Sequence, residues 1–204
     1  LQEIEFSPNV NCISGGNGEG KTNLLDGIWY LSMTKSAFAA SDRFNFRHGC
    51  SSFAISGVYT MNDGLKSRFS IQVQDGGEKK MRRDDKPYTR ISEHIGVLPI
   101  VMVSPADISL VSESGDERRR FVNSVLSQMD REYLSALQQY NRLLLQRNRL
   151  LKDGMADPDL LDAFDGRLSS LAEPIASRRR GFCLDLVPVV RRYYSEISGG
   201  REDV

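Results

Sequence analysis

The chain lacks any apolar run approaching the roughly 20 residues that a helix needs to cross a bilayer. It opens with no basic segment followed by an apolar one, so neither a membrane span nor a secretory leader is predicted. Cysteine is sparse. Cys12, Cys50 and Cys183 are odd in number and show no CxxC spacing, so neither a disulfide framework nor a zinc site is suggested. We read them as reduced, mostly buried thiols, and a cytoplasmic location is expected. Histidine is scarcer still: His48 and His94 have no Cys or carboxylate at metal-ligand spacing, so they read as surface or core residues. Ser-His-Asp catalysis has no support. An excess of one charge is also missing, because 27 Lys and Arg face 27 Asp and Glu. No global electrostatic footprint of a nucleic-acid binder follows, and any such role rests on local patches. What remains is a chain of 204 residues, 40% hydrophobic, enough for a core in one or two domains.

Its first half alternates short apolar patterns with turns. "LQEIEF" and "NVNCIS" read as two strands joined at Ser7-Pro8-Asn9. "SFAISGVYT" and "SRFSIQVQ" alternate with period two across "MNDGLK", and "EKKMRR" follows "DGG" as a third strand, giving a small antiparallel unit. "LPIVMVS", residues 98–104, is a continuous apolar run of the length of a fully buried strand. The second half changes character. From Asp116 to Lys152 there is neither proline nor glycine, and Phe121, Val125, Met129, Tyr133, Leu137, Leu144 and Leu151 recur at helical spacing: one long helix or two abutting ones. "KDGMADP" breaks it, and Pro158 is placed to open the next helix at its first position. That helix should be kinked or interrupted by Pro174 and Pro188. The leucines of 143–161 read as core of a helical hairpin or small bundle.

The most informative stretch is "ISGGNGEGKTNLLDGI", residues 13–28. Gly15-Gly16-Asn17-Gly18-Glu19-Gly20-Lys21-Thr22 matches GxxxxGK[ST] at every defined position. A strand pattern stands before it, and a helical pattern through Leu24, Leu25, Ile28, Trp29 and Leu31 follows. The chemistry dictates those residue types. Glycines let successive N–H groups turn toward phosphate oxygens, and the start of a helix adds partial positive charge. Lys21 would reach the β- and γ-phosphates, and the Thr22 hydroxyl would ligate Mg²⁺. A nucleoside triphosphate and Mg²⁺ are the implied ligands, with Gly15 through Asn23 as the residues that would hold the nucleotide and Thr22 the metal.

The interior GGNGEGKTN resembles the loops of ABC-type ATPases that act on DNA. "NVNCISGGNGEGKTNLLDGIWYL", "TKS" (34–36), "SPADISLVSESGDERRRFVN" (104–123) and "YLSALQQYNRLLLQRNRLLK" (133–152) run in the order and approximate spacing of the RecF family. The resemblance spans nearly the whole chain. It implies an α/β P-loop NTPase of ABC-ATPase type: residues 1–105 as the first part of the nucleotide-binding lobe with its antiparallel arm, and 106–204 as a helical second lobe. It also implies an ATP-dependent homodimer that binds single- and double-stranded DNA at gaps or junctions and works with RecR- and RecO-like mediators in recombinational repair and replication restart. Hydrolysis would be slow and DNA-stimulated in a full-length protein.

Several family features have no counterpart here. No apolar run followed by paired carboxylates lies downstream of the loop, and "RRDD" at 82–85 follows charge. The catalytic residues are therefore unknown, with the Walker B carboxylates expected beyond Val204. The chain reads as an N-terminal fragment that is inactive alone. "EISGGRED" at 196–203 mimics an ABC signature but follows a proline-containing helix, so Ser198, Gly199 and Gly200 read as a helix C-terminal turn. Phe38 stands where many RecF sequences have an arginine, leaving Arg43 or Arg47 as substitutes, and "VMVSPAD" offers Ser104 or Asp107 where ABC ATPases carry a glutamine. The basic clusters are Arg118–Arg120, Arg178–Arg180, Lys79-Lys80 with Arg82-Arg83, and Arg142, Arg147 and Arg149. Three consecutive helical residues point about 100° apart, so these read first as solvated faces and second as phosphate contacts. Rival readings are an SMC-like or OLD-like ATPase, a small P-loop kinase, which would need a complete site and a lid arginine, and a scaffold with a vestigial loop.

Overall fold

The computed structural model describes residues 3–113, 115–154 and 157–202. The chain divides into two compact units, Leu1–Met102 and Val103–Val204.

In the first unit, helix α1 (Lys21–Met33) packs on a four-stranded antiparallel sheet, β1 (Ser52–Thr60), β2 (Lys66–Gln74), β3 (Lys79–Arg83) and β4 (Lys86–Pro87), in that spatial order. Period-two alternation sets the register. Ile55 pairs with Ile71 and Gly57 with Phe69, so Phe69, Ile71 and Val73 all point to one face and are fully buried. Each such side chain contributes about 1.5–3 kcal/mol by leaving water. Asp84 and Asp85 turn β3 into β4 with φ of 48° and 65°, a two-residue turn whose twist suits a hairpin.

Tyr30 and Leu31 of α1 close the core against Phe69, Ile71, Val73, Met81 and Leu98. Gly57 is required there: a Cβ would lie 3.0 Å from both the Leu31 side chain and the Tyr59 ring. The Tyr30 hydroxyl donates to Asp42 Oδ1 at 2.7 Å, and Lys79 Nζ meets Asp42 Oδ2 at 2.8 Å while donating to the Thr34 carbonyl. Burial, then the Asp42 contact, raises the Tyr30 phenol well above its ordinary range, so it remains a donor.

Two expected strand regions are not strands. Among the described residues, nothing pairs with 3–14, and Ile4, Phe6 and Val10 are exposed. The turn itself forms, with the Ser7 N–H donating to Asn11 Oδ1 at 2.8 Å and Asn11 Nδ2 to the Ser7 carbonyl at 2.9 Å. "LPIVMVS" likewise carries no ladder, and Val101 and Val103 are 77% and 84% exposed. A two-stranded hairpin is marginal without a sheet to join, and an apolar run becomes a buried strand only when neighbours pair with both its edges.

The second unit is helical: α2 (Ser109–Ser112), α3 (Gly115–Met129), α4 (Arg131–Lys152) and α5 (Pro158–Ser198). The long apolar-periodic segment resolves into two helices because Asp130 adopts an extended backbone and caps α4, accepting from the Glu132 and Tyr133 N–H groups at 2.9 and 3.0 Å. Pro158 opens α5 at its first turn behind the Asp157 cap. α5 runs continuously through Pro174 and Pro188, so neither proline interrupts it. The carbonyls that these prolines leave without an N–H partner belong to Ser170 and Leu184, both exposed residues.

Leu126, Tyr133 and Ile175 form the core, and Arg179 of α5 donates to Asn123 Oδ1 of α3 and to the Tyr133 hydroxyl of α4, tying three helices together. The leucine stripe is only partly core, since Leu145, Leu151 and Leu160 are exposed. The three cysteines, expected to be mostly buried, are all exposed free thiols.

Candidate functional site

The glycine loop runs directly into α1. Gly20 is its N-cap with φ 89°, and Gly15 and Gly18 also hold positive φ, 153° and 84°. At Gly18 and Gly20 nothing lies within 4 Å of where a Cβ would stand, so both face open space in conformations that glycine adopts without strain. Lys21 sits at the first helical position, and its Nζ donates to the carbonyls of Gly15 at 2.9 Å and Gly16 at 2.5 Å. The ammonium thus bends back along the loop. The Gly16 N–H donates to Glu19 Oε2 at 3.0 Å. Thr22 and Asn23 follow, exposed, and Asn17 and Glu19 are exposed on the loop itself. No acidic residue lies within the first turn of α1, and the one carboxylate beside its start is Glu19, just before the Gly20 cap. A lysine ammonium, turned N–H groups and a helix start, gathered within eight residues, make an arrangement suited to phosphate oxygens.

The "TKS" segment hangs from the same helix. Asp26 accepts from Ser36 Oγ at 2.6 Å and from the Ala37 N–H at 2.7 Å, and Ser36 Oγ in turn accepts from the N–H groups of Phe38 and Ala39. Sequence reasoning missed Asp26. The available signal was a lone carboxylate inside the apolar run "LLDGIWYL".

Arg43 lies over the Phe44 ring at 4.9 Å, Arg47 and Phe38 are exposed, and Ser104 and Asp107 form a reciprocal capping box in which the Ser104 N–H donates to Asp107 Oδ2. His94 is a core residue, as read. Gly199, with φ 65° and its N–H on the Ser195 carbonyl, ends α5, so "SGG" is the expected helix terminus. The basic clusters make largely intramolecular contacts. Arg118 donates to the carbonyls of Leu110 and Glu113; Arg119 pairs with Asp116, Arg120 with Glu117, Arg178 with Asp130, and Lys80 with Glu78. Arg147 makes a two-pronged bond to Asp165, which holds that carboxyl below its usual range. Among the described residues no group of three or more His, Cys, Asp or Glu is placed to hold a metal.

A family profile described as an AAA domain matches residues 1–173. The chain is 42% identical over 203 residues to the DNA replication and repair protein RecF of Phocaeicola vulgatus, covering 99% of this chain and 55% of that protein. It is 43% identical over 202 residues to the RecF of Porphyromonas gingivalis, covering 99% and 56%. A solved structure described as the recombination mediator protein RecF with ATP superposes with a TM-score of 0.90 at 29% identity, covering 97% of this chain and 54% of the other. The chain therefore spans about half the length of the curated relatives it matches. The mixed α/β fold is that of a P-loop NTPase, and the chain belongs to the AAA domain family, as a homologue of RecF over 99% of its length.

Proposed function

We propose that the protein is an ATP-dependent DNA-binding protein of recombinational repair and replication restart, acting in the manner of RecF. The observation that carries this reading is the loop: Lys21 Nζ drawn over the Gly15 and Gly16 carbonyls at the N-terminus of α1, beside glycines that face open space. Gly15 through Thr22 hold the phosphates of ATP, Lys21 neutralises the terminal ones, and the exposed Asn23 lies beside them at the loop's exit. The exposed Thr22 hydroxyl, one residue into the helix, suits a hard cation. Mg²⁺ bound there would offset charge between the outer phosphates.

The RecF kinship and the RecF–ATP fold match support the wider role. It comprises an ATP-dependent homodimer in the cytoplasm, binding to single- and double-stranded DNA at gaps or junctions, cooperation with RecR- and RecO-like mediators, and slow DNA-stimulated hydrolysis by the full-length protein. Hydrolysis serves as a timer of dimerisation. Residues 1–105 act as the first part of the nucleotide lobe and 106–204 as the helical lobe.

The test is sedimentation of the full-length protein with Mg·ATP, Mg·ADP or neither, with Lys21→Met alongside, repeated with gapped duplex DNA. ATP-dependent dimerisation that Lys21→Met abolishes, with DNA travelling only with the dimer, is the expected result. A monomer that ignores DNA in every condition refutes the role.

A further inference from the structure

Gly15 and Gly16 are gripped from two sides. Their carbonyls accept from Lys21 Nζ, and the Gly16 N–H is taken by the Glu19 carboxylate at 3.0 Å. That carboxylate lies where side chains would be: a Cβ on Gly16 would stand 3.1 Å from Glu19 Oε1, and one on Gly15 would be closer still to Oε2. The motif leaves position 19 open to any residue, and this chain puts a full negative charge there, immediately before the Gly20 cap of α1. An anion already occupies one of the loop's own N–H donors, at the end of a helix whose dipole favours anions.

We propose that Glu19 is a specificity residue of the phosphate loop, an internal anion that phosphate must displace and that disfavours metal-free nucleotide more than the magnesium complex. The inference rests on the reading of Gly15–Thr22 as a nucleotide site. Two effects combine. Binding a phosphate at the Gly16 N–H breaks the Glu19 hydrogen bond, a cost common to both ligand forms. Once displaced, the carboxylate remains tethered beside the loop and repels the ligand in proportion to its charge, which is about −4 for ATP alone and −2 for Mg·ATP. Glu19 is exposed, so this repulsion is moderate and weakens with salt. The chain's own sequence thereby tilts the site toward the metal-complexed form.

Glu19→Gln and Glu19→Ala separate the two effects. Gln keeps an oxygen that can accept from the Gly16 N–H and removes only the charge, whereas Ala removes both. ATP is titrated calorimetrically into wild type and both variants of the full-length protein, with Mg²⁺ or with EDTA, at low and high salt. The expected result for Glu19→Gln at low salt is tightening of roughly 3- to 10-fold for metal-free ATP and about 2-fold for Mg·ATP, with the difference shrinking at high salt. Glu19→Ala should tighten both forms further. If wild type binds ATP but Glu19→Gln is unchanged or weaker, or gains equally with and without Mg²⁺, the proposal is overturned and the loop reading stands. If neither wild type nor the variants bind ATP in any condition, both fall together.

Discussion

His94 offers a test of how the platform under the loop is held. It is fully buried, with Nε2 2.8 Å from the Leu31 carbonyl and Nδ1 3.2 Å from the Tyr88 hydroxyl. A carbonyl only accepts, so the proton sits on Nε2, and Nδ1 accepts from Tyr88. The neutral ring is therefore satisfied at both nitrogens, and a second proton would force Tyr88 to stop donating. Burial, partly offset by the Leu31 bond and reinforced by the Arg83 charge, pushes His94 below its ordinary value. The sign follows by linkage: the unfolded chain takes up the proton at a higher pH than the folded one. The stability tied to His94 is therefore complete above the ordinary histidine range and is lost as pH falls from there toward the folded value. For one proton taken up by the unfolded state near the ordinary value of about 6.5, the loss between pH 7 and 5.5 is at most about 1.3 kcal/mol. Urea unfolding at both pH values, on wild type and His94→Gln, measures it. Gln can still donate to the Leu31 carbonyl but carries no titration in this range. The variant should be less stable at pH 7 and should lack the extra acid slope. Equal slopes in the two proteins would refute the reasoning.

Two further perturbations probe local geometry. Asp130→Ala removes the α4 cap and its 3.2 Å pairing with Arg178, and urea unfolding should show a loss of about 1–2 kcal/mol, most of it from the cap because the Arg178 side chain is largely exposed. Gly20→Ala forces a side chain into φ 89°, which should cost roughly 1–2 kcal/mol in thermal or urea unfolding and weaken ATP binding in calorimetry by turning the first N–H groups of α1. Unchanged affinity there would mean that the loop's backbone does not meet the phosphates.

What was legible in the sequence was whatever a few neighbouring residues decide. The loop, α1, the β1–β2–β3 hairpins, the Pro158 start and the Gly199 stop each rest on turn residues, caps or a period read within one segment. Residues 3–14 and 98–104 carry equally clear strand patterns, yet a strand is defined by partners distant in sequence, and none of the described residues supplies them. The exposed cysteines follow the same logic, because a thiol's burial depends on what packs over it. At Pro174 and Pro188 the local rule is right that each removes a hydrogen bond, but the helix continues through both, with the residues four before them, Ser170 and Leu184, exposed. At the loop, the motif fixed Lys21 and Thr22 but treated Glu19 as a spacer. Only the backbone course of Gly15 and Gly16 reveals that a side chain three residues on can reach back to an N–H donor. Of the four positions that the pattern leaves undefined, Glu19 is the one that carries a charge, and the proposal rests on that charge.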